Sequence, residues 1–187
     1  MNIFVLSANP ITAAEMMCDK HIPKMVVESG QMLSTAHRML DGIQTQKLSK
    51  SGKRTVKYWI HPSHEDLLYK AVHSAHPCTV WTMQNNSNYI WHYIHFLALS
   101  REFKIRFNKN HKTHEILRDI LGTPPANINT GNLTPFALAM KHFPSCIVEG
   151  DAVTSYRNYY HTAKPFAKWQ HGRSEPDWWE GYKGIDI

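Results

Sequence analysis

Two stretches of this chain repeat apolar residues at spacings of three and four, and that period makes α-helix its dominant element. In the first, Ile22, Met25, Val26, Met32, Leu33, Ala36, Met39 and Leu40 form the apolar stripe, with His21, Lys24, Glu28, Gln31, Thr35 and Arg38 along the other side. Near the C-terminus, Val153, Tyr156, Tyr160, Ala163 and Ala167 lie beside Thr154, Arg157, His161, Lys164 and Lys168. Helical geometry stacks such residues on one face. A stripe of cations and hydroxyls suits a polyanion, and a carboxylate set among cations suits acid–base chemistry. Together they point to a nucleic-acid ligand and to an enzyme acting on it.

The remaining segments extend the same architecture. Residues 2–7 read as a short strand or extended lead-in. Asn9-Pro10 reads as an N-cap with proline in the first turn of a short helix through about Cys18. Pro23 fits a helix start, so the chain breaks at Asp19–His21 and a helix runs from Ile22 to Leu40, stopped by Asp41-Gly42. Residues 44–60 form a basic loop or hairpin, with Ser51-Gly52 as its turn and Thr55–Ile60 as a strand. Ser63 caps a helix that buries Leu67, Leu68, Ala71, Val72 and Ala75 and ends before His76-Pro77. A long helix from Asn86 to Phe107 turns Ile90, Ile94, Leu97 and Ala98 inward. Trp91, Tyr93 and Phe96 make it apolar nearly all round, which marks it as the central helix. His114–Leu121 is another helix, closed by Gly122. Residues 123–150 hold four prolines and make a long irregular connection. Asp151 caps the last major helix, kinked near Pro165, and the tail Ser174–Ile187 holds Trp178 and Trp179 without a regular pattern. The fold class is mainly α: a single compact domain over residues 1–187, a bundle of five or six helices with at most a small β element.

Charge and cysteine usage narrow the function. A net charge of +6 and a pI near 9.2 favour a polyanionic partner. Cys18, Cys78 and Cys146 are scattered and odd in number, with no CxxC spacing, so neither a disulfide framework nor a cysteine zinc site is expected. The apolar start Met1–Leu6 is short and lacks a basic flank, and no long apolar run follows, so neither signal peptide nor membrane span is expected. The expected setting is a reducing cytoplasm.

The densest cluster of reactive residue types is Asp19-Lys20-His21, followed by Lys24 and Glu28. A lysine crowded by other cations can serve as an amine nucleophile, and a carboxylate beside it can shuttle protons. His61/His64, His73/His76, His92/His95 and His111/His114 repeat an i, i+3 spacing that suits metal ligands, but there is no HExxH, and two pairs meet prolines at helix boundaries. No metal and no cofactor is expected. Aromatic residues are interleaved with basic ones in Lys57-Tyr58-Trp59, Tyr156–Tyr160 and Phe166–Trp169, as phosphates and unstacked bases together require. No Walker loop, GxGxxG or GxSxG motif occurs.

Cys18-Asp19-Lys20-His21, Leu33–Arg38, His76–Trp81 and Ser155–Tyr160 resemble motifs of a family of small, largely uncharacterised tailed-phage proteins, and the similarity covers most of the chain. The chain is also distantly similar to the pyrimidine-dimer DNA glycosylase family of T-even phages. The shared features are a charged, proline-containing turn early on (Lys20–Lys24), a long amphipathic helix followed by basic sequence (Tyr89–Phe107), and an aromatic C-terminal segment. That resemblance implies duplex DNA binding, base extrusion and glycosidic cleavage through an imine. Two departures stand out. The family's catalytic glutamate falls near His21, leaving Asp19 or Glu28 to take its role. The family's nucleophile is a processed N-terminal amine, and Met1-Asn2 is a poor site for methionine removal.

The expectation from these residues and the resemblance is a phage-encoded, DNA-acting protein of the infected bacterial cytoplasm, monomeric or homodimeric, with its two polar stripes facing across a cationic cleft. Asp19, His21, Lys24 and Glu28 supply acid–base or imine chemistry. Lys20, Arg38, His37, His76, Arg157, Tyr160, His161, Lys164, Lys168 and Trp169 hold the DNA. The rival readings are a noncatalytic inhibitor of a host enzyme or defence system, and an enzyme on a small nucleotide or modified base.

Overall fold

A computed structural model describes residues 1–184; the last three residues of the expected tail lie outside that range. Six α-helices and one two-stranded sheet follow in order: α1 (Pro10–Glu15), α2 (His21–Asp41), β1 (Ile43–Leu48), β2 (Thr55–Ile60), α3 (Pro77–Gln84), α4 (Asn86–Phe107), α5 (Lys112–Leu121) and α6 (Ala152–Ala163). This is the mainly helical fold with a small β element that the periodicity predicts.

Local chemistry explains most boundaries. Asn9 Oδ1 accepts from the backbone N–H groups of Ile11 and Thr12, and Pro10 occupies the first turn of α1, which stops at Glu15, short of Cys18. Pro23 sits in the first turn of α2, where its missing N–H breaks no helical bond. At Gly42 the helix turns directly into β1. A Cβ there would stand 2.2 Å from the Arg38 carbonyl oxygen, so only glycine fits. β1 and β2 pair antiparallel from Ile43 opposite Ile60 to Leu48 opposite Thr55, with Gly52 at the tip at a φ of 70°.

Three expectations are corrected. The helix from Ser63 to Ala75 does not form. Glu65 is drawn instead to Arg38, Tyr58 and the His61 N–H, while Thr35 Oγ1 bonds both backbone groups of Val72, so residues 61–76 run in turns. The helix in this region is α3, opened by Pro77 with the His76 ring capping Cys78 N–H. The bounds of α4 are those expected, but its buried face is so only in part. Ala98 is buried and Leu97 packs against the core as expected, but Ile90 and Ile94 are exposed, and Tyr89, His92, His95, Phe96 and Leu99 are inside. The aromatic and histidine face wins because its polar tips find partners: His92 bonds Thr82 and Ser29, and His95 bonds the Pro10 carbonyl. Finally, α6 ends at Ala163, so Pro165 terminates the helix rather than kinking it.

The core lies where α2 and α4 pack together, with α1, α3 and α5 around them. Residues 123–150 are irregular but tied down. Asn85 and Asn88 bond Asn132 and Thr134, and Asp41 takes the N–H groups of Ala126 and Asn127.

Candidate active site

The beginning of the chain is drawn into the interior. Ile3, Phe4, Val5 and Leu6 are all buried, as a short apolar run without polar alternation dictates. Asn2 sets its path: Oδ1 accepts from the N–H groups of Ile3 and Phe4 at 2.8 and 3.1 Å, and Nδ2 donates to the Ala139 carbonyl at 3.0 Å. Phe4 adopts a left-handed φ of 53°, bending the chain. The Met1 amine is thereby carried to α2, where it stands 4.0 Å from Glu28 Oε2. Asn2 N–H donates to the same oxygen at 2.9 Å. One turn earlier, Lys24 Nζ lies 3.5 Å from Glu28 Oε1. The Glu28 side chain is 13% exposed and that of Lys24 67%. Two amines, one internal and one facing solvent, therefore flank a single mostly buried carboxylate.

Other groups close around this centre. Burial, the Met1 ammonium and His73 all push the His76 pKa down, against the pull of Glu28. Burial and Lys24 likewise lower the pKa of Lys164, whose Nζ lies 4.1 Å over the Tyr159 ring and 5.3 Å over that of Phe4. Burial lifts the Cys78 thiol to about 11, so it is no thiolate nucleophile near neutral pH. A cleft of about 370 Å³ adjoins, lined by His76, the chain from Leu138 to Phe143, and Tyr159. Lys164 from the second polar stripe is thus close enough to Lys24 and Glu28 of the first to feel their charges.

Most of the other expected ligands are taken up inside the protein. Arg38 is 1% exposed, and all five of its N–H bonds are used. They go to the carbonyls of Tyr69, Trp59, Glu65 and Leu68 and to Glu65 Oε2. It holds structure and has no donor left for a phosphate. Asp19 accepts from Arg106 at 3.0 Å and from the Gln170 N–H at 2.6 Å, fastening the C-terminal segment. His21 is buried, stacked on Phe4 at 4.4 Å and bonded through Nδ1 to Tyr160 Oη at 2.5 Å. Burial and then Lys164 push its pKa down to about 3. Tyr160 is wholly buried. Arg157 donates to the Leu6 carbonyl beneath Trp178, and Trp169 donates to the Met16 carbonyl. His161 stacks on Trp179 and accepts from the Glu180 N–H. Lys20 and Lys168 remain exposed, Lys20 lying over Phe166.

The histidine pairs also find a structural role. His61, His76 and His111 each turn Nδ1 back to a backbone N–H two residues on, acting as caps. One atom each of His37, Asp41 and His61 lies within 4.8 Å of the others. His37 Nε2 bonds Tyr89 Oη, and burial followed by His61 lowers its pKa to about 4. His61 Nδ1 accepts from the Ser63 and His64 N–H groups, so in the neutral ring the proton sits on the unpartnered Nε2. With Asp41 engaged by residues 126 and 127, the trio offers a hydrogen-bond donor rather than a set of metal lone pairs.

Tyr159 falls in the aromatic and basic run Tyr156–Tyr160, but neither motif nor spacing places the Met1 amine or Asn2 beside Glu28. The one signal was the apolar run from residue 3 to 6, whose burial pulls the amine inward. Comparison of the chain with protein-family models, with curated proteins and with solved structures returns no match.

Proposed function

We propose that the protein is a DNA glycosylase or related base-processing enzyme working through an amine nucleophile. The observation that carries this reading is a lone carboxylate, Glu28, with the Met1 amine at 4.0 Å and the Lys24 amine at 3.5 Å. In its unprotonated form, either amine can attack C1′ of an extruded nucleotide. A new C–N bond forms as the glycosidic bond breaks, the base leaves with a proton taken from solvent, and the sugar ring opens to an imine as O4′ receives the proton that the amine has shed to Glu28. Glu28 takes the proton shed by the amine and stabilises the cationic imine, and the adjoining cleft receives the displaced group. The sequence left this role open between Asp19 and Glu28. The geometry favours Glu28, because the Asp19 carboxylate is engaged by Arg106 and Gln170.

The test is borohydride trapping with duplex DNA carrying ordinary, ultraviolet-damaged or phage-modified bases. The expected result is a covalent adduct that peptide mass mapping assigns to Met1 or Lys24, and that Glu28→Gln lowers by at least about 100-fold. Released base without adduct means that water is the nucleophile. Neither adduct nor released base on any substrate sinks the enzyme reading.

A further inference from the structure

Five of the chain's 21 Lys and Arg residues, Lys47, Lys50, Lys53, Arg54 and Lys57, lie between Ile43 and Ile60, a span with no Asp or Glu. The rest of the chain carries 16 Lys and Arg against 15 Asp and Glu. Nearly all of the net charge of +6 is therefore concentrated on the β1–β2 hairpin. The candidate active site accounts for none of these five cations.

The shape of the hairpin matches its charge. No residue from 43 to 60 is buried, so both faces and the tip are open to solvent. A two-stranded ribbon with no core of its own is marginal in water. This one is fixed at its root, where Arg38 donates to the Trp59 carbonyl at 2.7 Å and Glu65 receives Tyr58 Oη and the His61 N–H. It is clamped at one end and bare along its length. Register places Gln44, Gln46, Leu48, Thr55, Lys57 and Trp59 on one face, where amide, hydroxyl and ammonium groups stand beside one leucine and one indole. The other face carries Ile43, Val56, Tyr58 and Ile60 with Thr45 and Lys47 among them, Lys47 Nζ lying 3.8 Å over the Tyr58 ring.

We propose that this hairpin is the arm by which the protein grips duplex nucleic acid, lying in the major groove with its cations on the flanking phosphates. Strands of six residues span about 20 Å, and the major groove of B-form DNA admits a two-stranded ribbon. The glutamine amides on its polar face can both donate to and accept from base edges. The proposal rests on the DNA reading above and extends it to a surface outside the Glu28 site.

The experiment is fluorescence anisotropy of a short labelled duplex across a salt series, comparing the wild type with a variant carrying K47Q, K50Q, K53Q, R54Q and K57Q. Melting curves check that both are folded, and the pair K50Q/K53Q at the solvent-exposed tip serves if the five-fold variant is not. Each phosphate contact contributes about 0.9 to the slope of log affinity on log salt, so the five-fold variant is expected to lose about 4.5 and the tip pair about 2. A wild type that binds duplex, with variants that keep its affinity and slope, overturns the arm and leaves the DNA reading standing. A wild type that shows no salt-dependent duplex binding, but holds phosphatidylserine vesicles or polyglutamate through these same lysines, overturns both.

Discussion

Arg38 sits on the polar stripe of an amphipathic helix, the usual place for a solvated cation, yet it ends fully buried because the turns of residues 61–72 fold over it and present carbonyls. A guanidinium can satisfy all of them at once, and an ammonium with three donors cannot. Arg38→Lys is therefore expected to cost about 3 kcal/mol or more, leaving buried carbonyls and Glu65 short of partners. Urea unfolding measures it, and a loss below about 1 kcal/mol would mean that the turns repack. Two buried imidazoles make a second statement at this scale. His21 and His37 titrate near 3 and 4 in the fold, against an ordinary value of 6.5. Below that ordinary value the unfolded chain takes up protons that the native state refuses. Their stabilising contribution is thus complete above pH 6.5 and drains away as pH falls toward 4 and then 3. The urea midpoint should drop on acidification from neutrality to about pH 5, and less steeply in a His21→Gln, His37→Gln double variant. Equal slopes would mean that other groups carry the acid sensitivity.

Elements were legible to different degrees, and the difference is physical. α4, with its Asn85 cap and its aromatic density, has the limits its pattern predicts, and the hairpin follows from Ser51-Gly52 between strand-like runs. Which face of α4 is buried was not legible, because His92 and His95 are stable inside only where Ser29, Thr82 and the Pro10 carbonyl happen to meet them. The absent helix at residues 63–75 has a similar cause: local propensity yielded to the demands of a distant arginine. Gly30 shows the reverse case, a residue unfavourable in mid-helix and kept for packing. Alanine there gains about 1 kcal/mol of helix propensity. Its Cβ, however, would lie 2.6 Å from Thr113 Cγ2 and 3.2 Å from Leu117 Cδ1 of α5. Thr113 is also held by a bond from its hydroxyl to Tyr69. Gly30→Ala should therefore lower stability by about 1–3 kcal/mol. A higher melting temperature would show that α5 can move aside.

At the scale of the whole molecule, the candidate site draws on the first residues of the chain, α2, the approach to α3, residues 138–143 and the end of α6. Helical spacing found Lys24, Glu28 and Lys164. It could not join Glu28 to Met1 or to Lys164, since no local rule connects residues so far apart in sequence. Because the Met1 amine is a buried group here, one residue added ahead of it must displace the pairing with Glu28 or shift the first residues from their place. Such an extension should abolish trapping if the α-amine is the nucleophile, and an undiminished adduct would assign the chemistry to Lys24. The uneven placement of charge has a consequence before any contact is made. A body that is nearly neutral except for one cationic projection is an electric dipole, and the field of a polyanion exerts a torque on it as well as a pull. The molecule turns as it approaches and arrives hairpin first, so a larger share of its collisions begin in a usable orientation. That advantage lasts only while the Debye length, about 8 Å at physiological salt, lets the projection feel the polyanion ahead of touching it.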